Sequence, residues 1–183
     1  EFNEAKDYVD FILGKIDAQS ILAAGKAAAK GDINMMAVKW PLLFEKFPHA
    51  KMNIFGAYAT QKIYSLHQPN MNFYVHGRAT SSFEVISRAR VLLAPIRFGA
   101  GIKGKLLEAM QFGTPSVTFE IGAEAMNSDF LWNGFITDSP EDFAEKAIEL
   151  HQDKIIWLKA QQNGFEIIKN RFSKDLFEDS FNE

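Results

Sequence analysis

Residues Val91 to Met126 read VLLAPIRFGAGIKGKLLEAMQFGTPSVTFEIGAEAM, an order of strand, glycine-rich bend, helix, turn and strand. Val91, Leu92, Leu93 and Ala94 form an apolar run of the kind buried on both faces in a parallel sheet, and Pro95 closes it. At Gly99 and Gly101 the chain lacks bulk, so backbone there can approach a ligand closely. The spacing predicts a helix opening at Ile102, with Ile102, Leu106 and Met110 on the face that packs against the sheet. The first-turn N–H groups of such a helix lack intrahelical partners and sit at the positive end of its dipole, where an anion is stabilised. Arg97, Lys103 and Lys105 add side-chain charge to the same mouth, which makes it a phosphate seat. Glu108 lies off the apolar stripe, about 10 Å along the axis from Gly101. That is roughly the span from a nucleotide's phosphates to its ribose, whose hydroxyls a carboxylate accepts. Gly113-Thr114-Pro115 stops the helix, and Ser116 to Phe119 begins the next strand.

The segment PIRFGAGIKGKLLEAMQFGTPSVTFEIGAEAM resembles the nucleotide-sugar-binding region in the C-terminal domain of retaining glycosyltransferases of the GT-B fold, the group 1 type. The match is to the branch with an Arg-x-Gly-x-Gly-x-Lys turn: Arg97, Gly99, Gly101, Lys103, the Leu107-Glu108-Ala109-Met110 box, Gly113, Pro115 and Gly122 fall in register. The resemblance implies a donor site in which Arg97 and Lys103 hold the diphosphate and act on the leaving group. The backbone of Gly99, Ala100, Gly101 and Ile102 would approach phosphate or sugar, and Glu108 would take the ribose. Many relatives carry a second glutamate eight residues before this one; Ala100 stands there instead, so a carboxylate that commonly touches the transferred sugar is missing.

Composition bounds the rest. A chain of 183 residues accommodates one full α/β domain and is short for two. Hydrophobic residues at 47% and charged residues at 23% describe an ordinary globular protein. The absence of cysteine excludes disulfides and thiolate metal sites and fits a reducing cytoplasm. A formal net charge of −3 argues against a nucleic-acid-coating protein. No apolar run approaches the roughly 20 residues that span a bilayer. The chain opens on Glu1-Phe2 without an initiator methionine, so it reads as an excised or trimmed piece of a longer protein; the resemblance implies that its partner is a missing N-terminal domain of the same protein.

Along the chain, Phe2, Ala5, Val9, Ile12 and Ile16 are spaced like a helical face, so residues 1–17 read as a helix from a linker or a preceding domain. The domain proper is placed at 18–172, with a C-terminal tail at 173–183. Ser20 to Ala24 reads as the first buried strand, and Lys26 and Lys30 follow it. By the resemblance these lysines match a Gly-Arg and Lys-Gly pair that reaches the donor's phosphates. Asp32 precedes a helix from Ile33 to Phe47, with Met36, Leu43 and Phe47 inward and a kink or break expected at Pro41. Lys51–Phe55 and Asn72–Val75 read as strands, with a short helix at about Thr60–His67 between them. The turn His76-Gly77-Arg78 lies at a strand's carboxyl end, where open α/β sheets bind ligands. By the resemblance, Gly77 and Arg78 cup the nucleobase. A helix over Ser81–Arg88, capped by Ser81 or Ser82, precedes the central stretch. After it come a short last strand near Gly134-Phe135, a helix from Pro140 to about His151 and another from Lys154 to about Phe172.

Strands alternating with helices define a Rossmann-like α/β fold, a doubly wound parallel sheet of about six strands, and the resemblance implies that it is one half of a GT-B architecture. The residues alone leave a rival open. Gly99-Ala100-Gly101-Ile102-Lys103-Gly104 also satisfies the dinucleotide fingerprint of an NAD-binding oxidoreductase, with Glu120 at a later strand end. Against it, the motif sits on about the fourth strand and its turn is long. The four histidines have no metal-ligand spacing, and no hydrolase elbow or P-loop occurs. With the resemblance, the reading is the donor-binding half of a retaining hexosyltransferase that uses a UDP- or GDP-type sugar without cofactor or metal. A domain that binds such a nucleotide without turnover is the alternative.

Overall fold

The computed structural model describes residues 9–14, 30–31, 33–56, 59–126 and 130–172. Six of the strands form one sheet in which every pairing is parallel: β1 (Val9–Gly14), β3 (Met52–Phe55), β4 (Phe73–Val75), β5 (Ala89–Ala94), β7 (Ser116–Phe119) and β8 (Gly134–Thr137). Their spatial order is β4-β3-β1-β5-β7-β8. Chain order runs outward from β1 in one direction, then resumes at β5 in the other, the doubly wound arrangement. A separate antiparallel pair joins β2 (Lys30–Gly31) to β6 (Ile96–Phe98).

Among the described residues the α-helices are α1 (Ile33–Lys46), α2 (Gln61–Tyr64), α3 (Ser82–Ile86), α4 (Gly104–Gln111), α5 (Glu120–Ala123), α6 (Pro140–Gln152) and α7 (Lys154–Arg171). Strand β5 shows why they cover both faces. Successive side chains of a strand point to opposite sides. Val91 and Leu93 accordingly enter one core with Trp40 and Leu43 of α1 and Phe143 of α6. Leu92 and Ala94 enter a second core with Leu106, Ala109 and Met110 of α4 and Ile167 of α7. Leu92 and Leu93 have no exposed surface, which stabilises the fold by about 1.5–3 kcal/mol for each side chain.

Local chemistry sets the boundaries. Ser81 accepts a hydrogen bond from the Glu84 N–H at the start of α3, and Ser139 does the same for Asp142 ahead of Pro140. Gly113, at φ 74°, ends α4, and the Thr114 N–H returns to the Ala109 carbonyl. Helix α1 runs through Pro41 without a break, with Met36 and Leu43 buried on its inner face.

Two expectations are corrected. The helix read across residues 1–17 is replaced at Val9–Gly14 by the strand β1, near the middle of the sheet between β3 and β5. Long-range pairing of Phe11 with both Met52 and Val91 overrides the local helical spacing. The helix expected from Ile102 starts instead at Gly104. Lys103 takes the cap position with extended backbone, and Ile102 is 52% exposed and so leaves the apolar stripe. The strand placed at Ser20 to Ala24, and Lys26 beyond it, lie outside the described residues.

Candidate functional site

The strand order reverses between β1 and β5, and a doubly wound sheet opens a crevice outside the carboxyl ends of such a pair. The glycine bend hangs from that end of β5. After Pro95 the chain forms β6 and then bends through Gly99 at φ 126° and Gly101 at φ 75°, values that favour glycine. A Cβ placed on Gly101 would meet nothing within 4 Å, so the space beside the bend is open. Helix α4 then begins at Gly104, with its first N–H groups at the bend.

Charged groups surround this bend in distinct ways. Lys103 is 5% exposed, and its Nζ donates to the Gly101 carbonyl at 2.6 Å. The ammonium thereby braces the bend with one of its three N–H groups. The Arg97 guanidinium lies 5.0 Å from the centre of the Phe119 ring, on the side of β7. Glu108 is half-buried on α4 and pairs with Lys105 at 2.9 Å. Lys30 enters through its backbone, which pairs with Phe98 and so sets the β2 segment beside the bend. Phe98 itself is 64% exposed. The bend thus gathers Lys30, Arg97, Lys103 and Gly99 to Gly101 in one chain neighbourhood, while the side chains of Arg97, Lys103 and Glu108 engage separate partners.

Gly77 and Arg78 are exposed in the loop after β4, and the Gly77 carbonyl accepts from the Gly56 N–H at 3.0 Å. The turn is anchored by His76, whose role here no sequence motif marks. His76 Nε2 lies 2.8 Å from Asn53 Oδ1, and its ring stacks on Phe55 at 4.5 Å. Burial, and then the neighbouring His67, hold the His76 pKa below its ordinary value. The signal that finds this cluster is the pairing of β3 with β4, which sets Asn53 beside Tyr74. Among the described residues no group of three or more His, Asp or Glu is placed to hold a metal ion, and no helix is long and apolar enough to cross a membrane.

A doubly wound sheet with an open glycine bend at its switch point defines a Rossmann-like domain. The family model described as Glycosyl transferases group 1 matches residues 18–153, and the chain belongs to that family. Compared with curated proteins by sequence, the chain matches none significantly. Its fold is similar to that of S. aureus TarM, solved with UDP and α-GlcNAc-glycerol, at a TM-score of 0.74 and 17% identity. It is also similar to the pneumococcal O-GlcNAc transferase GtfA, solved with UDP and GlcNAc, at 0.69 and 18% identity. These alignments cover 100% and 97% of this chain, but only 37% and 35% of theirs. The C-terminal domain of the group 1 protein LpcC from Francisella tularensis matches at a TM-score of 0.65 and 18% identity, covering 92% of this chain and 88% of that domain. The architecture is therefore the Rossmann-like half of a GT-B glycosyltransferase.

Proposed function

We propose that this chain is the donor-binding half of a retaining glycosyltransferase that moves a hexose from a UDP- or GDP-linked sugar to an acceptor. The observation that carries the reading is the open glycine bend at the switch point, leading into α4 and braced by the Lys103 ammonium. UDP in the TarM and GtfA structures supports a nucleoside diphosphate as its ligand. As the sugar departs, negative charge grows on the diphosphate. Fixed donors at its oxygens then stabilise the transition state more than the ground state. Arg97, Lys103 and the first N–H groups of α4 are the assigned donors, with Lys26 and Lys30 assisting. Gly99, Ala100, Gly101 and Ile102 bring backbone to the phosphates and sugar, Glu108 accepts from the ribose, and Gly77 and Arg78 flank the base. The acceptor site and any base belong to the missing N-terminal domain, so this chain alone carries no transfer activity. A cytoplasmic location is part of the same proposal.

The dinucleotide alternative is disfavoured by position. That fingerprint joins the first strand directly to its helix, whereas here the glycines follow β5, and β6 intervenes before α4. The test is a calorimetric titration of the chain with UDP, GDP, UDP-glucose, GDP-mannose and NAD, repeated on Lys103→Ala and Glu108→Ala. Binding of a sugar nucleotide that both substitutions weaken is the expected result. Binding of NAD alone would overturn the reading, and sugar-nucleotide binding without transfer by the longer protein would make it a non-catalytic binding domain.

A further inference from the structure

Beside the glycine bend, a cavity of about 200 Å³ opens at the carboxyl ends of β7 and β8, lined by Arg97, Phe119, Glu120, Ile121, Thr137 and Asp138. We propose that this cavity seats one sugar ring, with Glu120 and Asp138 reading its hydroxyls; the proposal rests on the donor-binding reading above.

The size points to a small occupant, since pockets for larger ligands run about 300–1,000 Å³. A nucleoside diphosphate exceeds it, while a single pyranose is of the right order. The wall chemistry narrows the class further. Two carboxylates accept hydrogen bonds and one guanidinium donates them, a set suited to a ring bearing several hydroxyls. Phe119 and Ile121 supply apolar surface for the C–H face of such a ring. The two acids in the lining disfavour an anion, and Arg97, held over Phe119, disfavours a cation. A neutral polyhydroxylated group satisfies all of these walls.

Position supplies the link to the bend. Arg97 belongs to β6, immediately before Gly99, and its side chain forms part of the cavity wall. Strands β5 and β8 are separated by β7, or about 10 Å at the usual strand spacing. A ring attached to a diphosphate on the bend lies within that reach. In this chain Ala100 leaves no acid within the bend itself, and Glu120 and Asp138 supply carboxylates from the neighbouring strand ends. The ring belongs either to the donor's hexosyl group or to a sugar of the acceptor, and binding distinguishes the two.

The experiment measures affinities of the chain for UDP, GDP, UDP-glucose, UDP-N-acetylglucosamine and GDP-mannose, and for methyl glycosides added with saturating nucleotide. These are compared with Glu120→Gln, Asp138→Asn and the double variant. Both residues are exposed, so the melting temperature reports whether folding is preserved. The double variant is expected to lose at least about tenfold in affinity for the sugar nucleotide and less than about twofold for the free diphosphate. The same loss confined to the methyl glycoside also supports the proposal and assigns the ring to the acceptor. Equal losses for nucleotide and sugar nucleotide, or no loss for any sugar, overturn it while the donor reading stands. Failure of every nucleotide to bind the unsubstituted chain overturns both.

Discussion

The ammonium of Lys103 donates to the carbonyl of Gly101 across a bend whose two flanking glycines both have positive φ. A single side chain thus fixes the loop's shape and supplies a cation at the helix entry. Lys103→Met keeps the buried stem and removes both functions. Diphosphate affinity is expected to fall about 10- to 100-fold, the size of a lost hydrogen bond to a charged group. Calorimetric titration with the nucleoside diphosphate checks it, and unchanged affinity would remove Lys103 from the site.

Glu108 and Lys105 test the ribose assignment. Their ion pair is one-third or more exposed on each side, so breaking it through Lys105→Ala is expected to cost no more than about 0.5 kcal/mol in urea unfolding. Glu108→Gln weakens one of the acceptors offered to the ribose and is expected to lower nucleotide affinity about tenfold with little change in stability. If the two substitutions weaken the nucleotide equally, the carboxylate matters for the helix surface and not for the sugar.

His76 links stability to pH. Its pKa in the folded chain is lowered, mainly by burial and then by His67, whereas the unfolded imidazole titrates near 6.5. As pH falls through about 6.5 the unfolded chain takes up the proton first, so stability is expected to drop until the folded-state value is passed, then to level off. Urea unfolding between pH 8 and pH 5 measures the slope, and His76→Gln is expected to flatten it.

Gly134 separates packing from ligand binding. It adopts φ 132°, and a Cβ there would overlap the carbonyl oxygen of Ser116, which is backbone of the paired strand β7. Gly134→Ala is therefore expected to destabilise the domain by about 3–5 kcal/mol, since neither partner can rotate aside. Chemical denaturation checks the value, and a loss below about 1 kcal/mol would show that β7 and β8 shift apart readily.

The parts of the fold legible in sequence are those whose signals are local. Val91 to Ala94 announced β5 because both of its faces are buried, and Ser81 and Pro140 marked helix starts through chemistry confined to one turn. The glycine bend was visible for the same reason. Strand β1 was not: Val9 and Ile12 fit a helical stripe as well as a strand, and only pairing with Met52 and Val91 decides. For the candidate residues Arg97, Lys103 and Glu108, sequence supplied the proposal but not the contacts. Lys103 turns onto a carbonyl only because Gly99 and Gly101 bend the chain there, and Arg97 meets Phe119 through the ordering of β6 and β7. The anchoring of His76 by Asn53 likewise depends on two strands meeting side by side.

The place of β1 also bears on how the molecule is made. Val9 pairs with Ala89, so one edge of this strand has no partner until the ribosome has delivered β5. At ordinary elongation rates that leaves roughly 4–15 s in which an apolar segment waits with open backbone donors and acceptors. Nascent chains are most exposed to mispairing with one another during that interval.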